Sequence, residues 1–429
     1  MVHESPPGPF SWPFVGHSYH FFSDPLGYPT RWKRQFGDFV SLAIGGQQAL
    51  LITDLDAIQR VLADNFQSYE KGQLYRDELA FIEDGLLVSE GDRWNEQRQQ
   101  LAPMFHPDRI NDYRETMEEA AERAVETLPR NEPVAIDEVM QELSLSIIAK
   151  TMMGVDIAHD AASIRHGLAD IMDNARASSR IPVSVPDWIP TPTNRRYARA
   201  LNRFDTIVSE IIEEQALGQP TVVSHLLSRR QEDPGSISRT EIRDQLLTLL
   251  LAGHDTTALG MSYTLHLLAA NPAEQERVHT AIDADADSSL LDHAITEGLR
   301  LYPPSYLFLR EAKESDVLGG YPIDPGTLII LHPWLVHRDE RHYRAPSTFM
   351  PSRWEDTPLR DRHPFAYFPF SGGPRRCIGG RFALLEMKIV LSRFLRSFRF
   401  ELGTAPPIDL DPRITLRPNE SIELIPRTR

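Results

Sequence analysis

Cysteine is nearly absent from this 429-residue chain. The single thiol, Cys377, excludes an intrachain disulfide and favours the cytosol. Lysine is scarce too. Five of the 45 Lys+Arg are lysines (Lys33, Lys71, Lys150, Lys313 and Lys388), and against 61 Asp+Glu the formal net charge is -16. A chain so acidic repels a phosphate backbone, so nucleic acid is excluded as a partner. The same acidic, lysine-poor composition fits the salt-rich cytoplasm of a halophile and equally fits GC-biased codon usage. Long apolar runs are missing: none approaches the ~18 to 20 residues of a membrane span. The opening Met-Val-His-Glu-Ser-Pro has neither the basic nor the apolar region of a secretory signal. A soluble, cytoplasmic protein without a transmembrane anchor is expected, and internal repeats and low-complexity segments are absent.

What is present is globular in character, with 41% hydrophobic and 25% charged residues. Prolines 6, 7, 9 and 13 make the first residues an extended lead-in. Two β-like runs, 38–44 and 49–53, joined through Gly45-Gly46, predict a hairpin. Beyond residue 54 the apolar spacing turns helical, most clearly over 107–128, 138–153, 196–215 and 239–270. Residues 180–193 form a proline-rich apolar loop, either an entrance lid or a loop packed on its own helices. Short strands return over 317–331, and a last helix spans 379–398. The expected fold is mainly α with a minor β part, one domain over 1–429 whose β-rich portion lies mainly at 36–54 and 305–332.

The chemistry-bearing motifs begin with Phe370-Ser-Gly-Gly-Pro-Arg-Arg-Cys377-Ile-Gly379, a glycine-rich loop running into the last helix. Backbone N–H groups and a helix N-terminus favour a thiolate, as a metal ligand requires, and the glycines let the main chain approach a flat bulky group. A small buried hydrophobe is the ordinary role of a lone cysteine, and a phosphate loop would need a Gly-Lys-[Ser/Thr] ending that is missing here. A second cluster, Ala252-Gly253-His254-Asp255-Thr256-Thr257, lies in the middle of the 239–270 helix. There Gly253 and two β-branched threonines weaken helix propensity and predict a place where the ladder opens. A back-bonded threonine and an ion-paired aspartate is the plainer alternative. Glu297 and Arg300 share a helix face before Pro303. Trp94 and Arg98 place an indole N–H and a guanidinium one turn apart. His332, His337 and His342 are spaced for no common metal site, and surface or supporting roles are expected.

Taken together these motifs resemble the cytochrome P-450 family of haem-thiolate monooxygenases, in its soluble prokaryotic form. Residues 370–379 match that family's Phe-x-x-Gly-x-Arg-x-Cys-x-Gly signature, and Phe349-Met-Pro351-Ser-Arg353-Trp matches its Phe-x-Pro-x-Arg-[Phe/Trp] pattern. The resemblance runs in order along essentially the whole chain. It implies a long central helix over the haem, short antiparallel sheets, and haem b (iron protoporphyrin IX) with Cys377 as the thiolate ligand. Phe370 and Gly379 would border the haem, with Ala252 and Gly253 in the oxygen groove. Asp255 and Thr256 would form the acid-alcohol pair that relays protons to dioxygen. Trp94, Arg98, Arg310 and Arg375, with Lys71 as a weaker candidate, would face the propionates, and Glu297, Arg300 and Arg353 would form a structural triad.

By family position, the substrate contacts would include Leu86, Leu87, Ile181, Leu249, Leu307 and Phe308, a greasy set suited to fatty acids or terpenoids, carotenoids included. The reaction implied is insertion of one oxygen atom from O2 into an apolar small molecule. Electrons would come from a separate ferredoxin-type donor and its reductase, docking near Arg376, Arg381 and Lys388, and the protein would act as a monomer. A peroxide-driven peroxygenase or a non-catalytic haem sensor is the alternative.

Overall fold

Glycine at the Gly45-Gly46 turn has φ of +61° and +79°, a conformation side-chain-bearing residues avoid, and it closes the hairpin Phe39–Ile44 and Gln47–Ile52. The computed structural model describes residues 5–11, 16–82, 84–157, 164–167, 191–214, 220–284, 289–403 and 405–429. The chain is mainly helical with small sheets. It divides into two compact units, one of Met1–Arg76, Asp292–Cys377 and Asp409–Asn419, the other of Asp77–Leu291, Ile378–Ile408 and Glu420–Arg429.

In the first unit the hairpin extends into a five-stranded sheet, ordered Phe39–Ile44, Gln47–Ile52, Leu328–Leu331, Phe308–Ala312 and Tyr69–Glu70. Gln47–Ile52 runs parallel to Leu328–Leu331, and the other pairings are antiparallel. The period of two sorts its side chains. Ala49, Leu51, Leu328 and Ile330 pack with Phe21 and Trp32 on one face. Leu50, Ile52, Ile329 and Leu331 pack with Ile58, Leu62, Tyr69 and Phe368 on the other. A sheet so covered reads as the unbroken apolar run Leu-Ile-Ile-Leu.

In the second unit the helix Arg239–Ala270 begins at Ser238, whose hydroxyl accepts from Glu241 N at 2.9 Å. It packs against the helices Ile136–Ile148 and Gly380–Ser397, and it is buried almost all round, as a helix in a core should be. A three-stranded sheet, Val134–Ala135, Glu423–Thr428 and Phe398–Leu402, completes this unit. Among the described residues no helix is long and apolar enough to cross a membrane.

Three sequence expectations need revision. The 196–215 helix starts earlier, at Pro192, because Thr191 Oγ1 caps Asn194 N at 3.0 Å and proline suits a first turn. The 138–153 helix is α over Ile136–Ile148 and then π over Ala149–Met153, ended by Gly154 at φ +76°. The 107–128 stretch is two helices, Pro107–Asp112 and Arg114–Thr127. Most of the 180–193 loop lies outside the described residues.

Candidate active site

The loop that carries Cys377 is held by its own main chain. Cys377 N donates to Phe370 O at 3.0 Å, Arg376 N to Gly373 O at 3.1 Å and Ser371 N to Phe368 O at 3.0 Å. Gly373 has φ +65°, and a Cβ there would lie 1.9 Å from the Leu62 carbonyl oxygen, so only glycine fits. A Cβ on Gly372 would meet the Phe365 ring at 2.3 Å. Arg375 donates through Nη1 to the carbonyls of Phe66, at 3.0 Å, and Tyr69. The loop is thus fixed against residues 62–69, and the thiol it presents is exposed. An exposed thiol on a pinned, glycine-bared loop fits a flat metal-bearing group laid against it and does not fit the packed small hydrophobe.

Glu297 is fully buried, and its carboxylate is saturated. Oε1 accepts from Arg300 Nη2 (2.8 Å), Arg353 Nε (2.8 Å) and Met350 N (3.0 Å). Oε2 accepts from Arg300 Nε (2.9 Å) and Trp354 Nε1 (3.0 Å). Arg300 spends Nη1 on the His337 and Pro346 carbonyls, both at 2.7 Å, and Arg353 donates to Arg344 O at 2.8 Å. One carboxylate and two guanidiniums therefore gather the irregular chain between residues 337 and 354. Sequence reading passed over Trp354 as a donor, although the aromatic position of the matched motif marks it.

Of the three histidines, His342 is half-buried, and the other two take the supporting alternative in the interior. His332 and His337 are fully buried: His332 Nε2 lies 3.1 Å from Pro25 O, and His337 Nε2 accepts from Phe368 N at 3.0 Å. Burial holds the His332 imidazole down at about 4, so it is neutral.

On the long helix, every residue from Asp244 to Ala269 is buried except Leu249, Ala252, Gly253 and Thr256, which are half-buried. Their spacing places them on one face, so a single half-buried stripe runs along an otherwise buried helix. A Cβ on Gly253 would meet Ile148 Cδ1 at 2.6 Å, which keeps the neighbouring helix close. Contrary to the expected opening of the ladder, the helix runs unbroken from Arg239 to Ala270. Burial overrides weak propensity, and Thr256 Oγ1 donates to Ala252 O at 2.8 Å, the plainer back-bonded arrangement. Asp255 is buried, and its Oδ1 accepts from Gln141 Nε2 at 3.2 Å. No sequence signal pointed to Gln141, which lies 114 residues away.

Trp94 and Arg98 share the helix Gly91–Leu101, with Trp94 buried and Arg98 half-buried. Arg310 is buried in its strand and donates to Leu309 O at 2.7 Å, and Lys71 is also buried. Phe370, Arg375 and Gly379 are half-buried, as are Leu87, Leu307 and Phe308, while Leu86 is buried. Ile181 lies outside the described residues.

A family model described as "Cytochrome P450" matches residues 6–425. A cyclooctatin synthase of Streptomyces melanosporofaciens is 28% identical over 97% of this chain and 94% of its own length. A cyclooctat-9-en-7-ol 5-monooxygenase of the same organism is 29% identical over 91% of this chain and 88% of its own. The plant protein LUTEIN DEFICIENT 5, chloroplastic, of Arabidopsis thaliana is 27% identical over 91% of this chain and 72% of its own. The crystal structure of CYP175A1 from Thermus thermophillus superimposes with a TM-score of 0.80 at 28% identity, covering 95% of this chain and 96% of that one. Members of the matched family bind haem through a cysteine thiolate and are oxidoreductases. A glycine-bared loop presenting the chain's one cysteine, a family match along nearly its whole length and a shared fold lead to one conclusion: this chain belongs to the cytochrome P450 family and is a monooxygenase.

Proposed function

We propose that this chain holds haem b (iron protoporphyrin IX) on the Cys377 thiolate and inserts one oxygen atom from O2 into an apolar substrate of the fatty-acid or terpenoid/carotenoid class. When bound, the haem supplies the iron that takes up dioxygen and the oxidising power of the reaction. Cys377 contributes electron density to that iron, and the bare glycine backbone around it leaves room for a flat macrocycle. Trp94, Arg98, Arg310 and Arg375 offer indole and guanidinium donors to the propionates. Leu86, Leu87, Ile181, Leu249, Leu307 and Phe308 offer apolar contacts that bind the substrate and exclude water.

Asp255 and Thr256 move the protons. The Thr256 hydroxyl, whose hydrogen goes to Ala252 O, keeps its oxygen lone pairs as acceptors, and Gln141 orients the Asp255 carboxylate. Electrons arrive from a separate ferredoxin-type donor with its reductase. Arg376, Arg381 and Lys388 form the basic docking patch on a chain of net charge -16. The protein works as a soluble cytoplasmic monomer of the prokaryotic type.

The observation that carries this reading is the exposure of the only cysteine on a loop pinned by Gly373 and Arg375. A relative named as a monooxygenase of the cyclic alcohol cyclooctat-9-en-7-ol supports the terpenoid class. Two measurements test the reading. A panel of terpenoids, carotenoids and fatty acids is screened for a shift of the haem spectrum, and members of one of these classes are expected to give it. In Thr256→Ala, product per NADPH should fall about tenfold or more while peroxide accumulates. An unaltered product yield would contradict the dioxygen route and favour peroxide use or sensing.

A further inference from the structure

The segment that carries Leu86 and Leu87 is fastened to the long helix by buried side chains. Asp84 N donates to Asp244 Oδ2 at 3.0 Å, and Leu86 N donates to Gln245 Oε1 at 3.2 Å. Gln245 Nε2 returns to Asp84 O at 3.3 Å, and Gln97 Nε2 reaches the same carbonyl at 2.7 Å and Glu241 Oε1 at 2.9 Å. Gln97, Glu241, Asp244 and Gln245 are each 1% exposed, and the Leu86–Gln245 and Gln97–Glu241 bonds form away from water, where breaking one leaves an unsatisfied group.

Between two of these anchors lies Gly85. A Cβ there would come 2.3 Å from Thr248 Oγ1 and 3.3 Å from the Asp244 carbonyl oxygen. Thr248 is 4% exposed, and its hydroxyl has no hydrogen-bond partner among the described residues. Elsewhere on this helix Thr256, Ser262 and Thr264 turn their hydroxyls back to the i−4 carbonyl at 2.7 to 2.8 Å. Thr248 instead stands against the Gly85 backbone.

Gln245 is followed at helical spacing by Leu249, Ala252 and Thr256, the half-buried stripe. The polar anchors and the stripe are successive turns of one helix face, and the backbone that the anchors hold is the one that carries Leu86 and Leu87.

We propose that Gln245 and Thr248 determine substrate specificity as positioning residues: they set the place of Leu86 and Leu87 through the backbone of Asp84–Leu86, without themselves touching substrate. This rests on the reading that Leu86, Leu87 and the stripe line the substrate site. Gln245 fixes the segment's register from both sides of the peptide chain, and Thr248 fixes how closely Gly85 approaches the helix. A methyl group on Gly85 must push the segment outward by about 1 Å to reach ordinary van der Waals distance, unless the Thr248 hydroxyl is removed.

The test uses holoenzyme and two iron-coordinating probes with different tails, 1-octylimidazole and 1-benzylimidazole, whose Kd values are read from the haem spectrum. In Gly85→Ala and in Gln245→Leu the ratio of the two Kd values should change about fivefold or more, and amide hydrogen exchange at Leu86 should quicken. In Gly85→Ala/Thr248→Ala the ratio should return to within about twofold of wild type, a recovery that general destabilisation does not give. Gln245→Leu carries the test alone should Gly85→Ala fail to fold. Faster exchange with an unchanged Kd ratio would make the anchor merely structural and overturn the proposal, as would unchanged exchange in both single variants. Failure of the underlying functional reading shows separately, as a wild-type imidazole complex without thiolate character.

Discussion

Glu386 gives a prediction whose size follows from its surroundings. It lies on the helix Gly380–Ser397, fully buried, and loss of water pushes its carboxyl from an ordinary 4.5 up to about 8, with the Ser144 side chain opposing only in part. At pH 7 the folded protein therefore keeps this proton while the unfolded chain releases it. The carboxyl's contribution to stability is full below about pH 4.5 and is lost as pH rises towards 8. At about 1.4 kcal/mol per pH unit, ionisation favours the unfolded chain by about 3 kcal/mol at pH 7. Glutamine keeps the shape and has no proton to lose. Glu386→Gln should thus be more stable than wild type at pH 7 by about 2 to 3 kcal/mol, with the gap closing towards pH 4.5. His266, His279 and His332, each held down at about 4, tilt both stability curves alike, and their effect cancels in the difference. Urea unfolding of both proteins at half-unit pH steps measures it. A glutamine variant that is less stable at pH 7, or a gap that does not vary with pH, would refute the reasoning.

Two further substitutions probe the machinery. Glu297→Ala strands two buried guanidiniums and should lower unfolding free energy by about 3 to 5 kcal/mol, with loss of haem retention; a loss below about 1 kcal/mol would mean the cluster is dispensable. Gly373→Ala combines a positive φ with a collision against the Leu62 carbonyl, so it should cost about 2 kcal/mol or more and displace the cysteine loop. Normal haem incorporation by Gly373→Ala would contradict the packing described.

Local signals made part of this molecule legible in its sequence. The helix 239–270 has the bounds expected of it because a serine cap, an apolar pattern and an asparagine end all lie within one stretch. The hairpin at Gly45-Gly46 and the glycine loop at Cys377 were visible for the same reason: φ requirements are written in glycine. Partnerships across long separations were not legible. Nothing local to Tyr69–Glu70 announces that it pairs with Phe308–Ala312, or that Gln141 and Gln245 supply amides to Asp255 and Leu86. The unbroken helix through Gly253 is a case of tertiary packing overruling propensity. The burial of His332 and His337 escaped notice because a histidine's burial depends on distant neighbours, Pro25 and Phe368 among them, and not on its spacing from other histidines.

The most direct measurement is the absorption spectrum of the reduced carbonyl adduct, taken on wild type and on Cys377→Ser. The account predicts the long-wavelength Soret band of thiolate ligation in wild type and its loss in the serine variant. A wild-type band at the position of a histidine-ligated haem, or a serine variant with the wild-type spectrum, would contradict it.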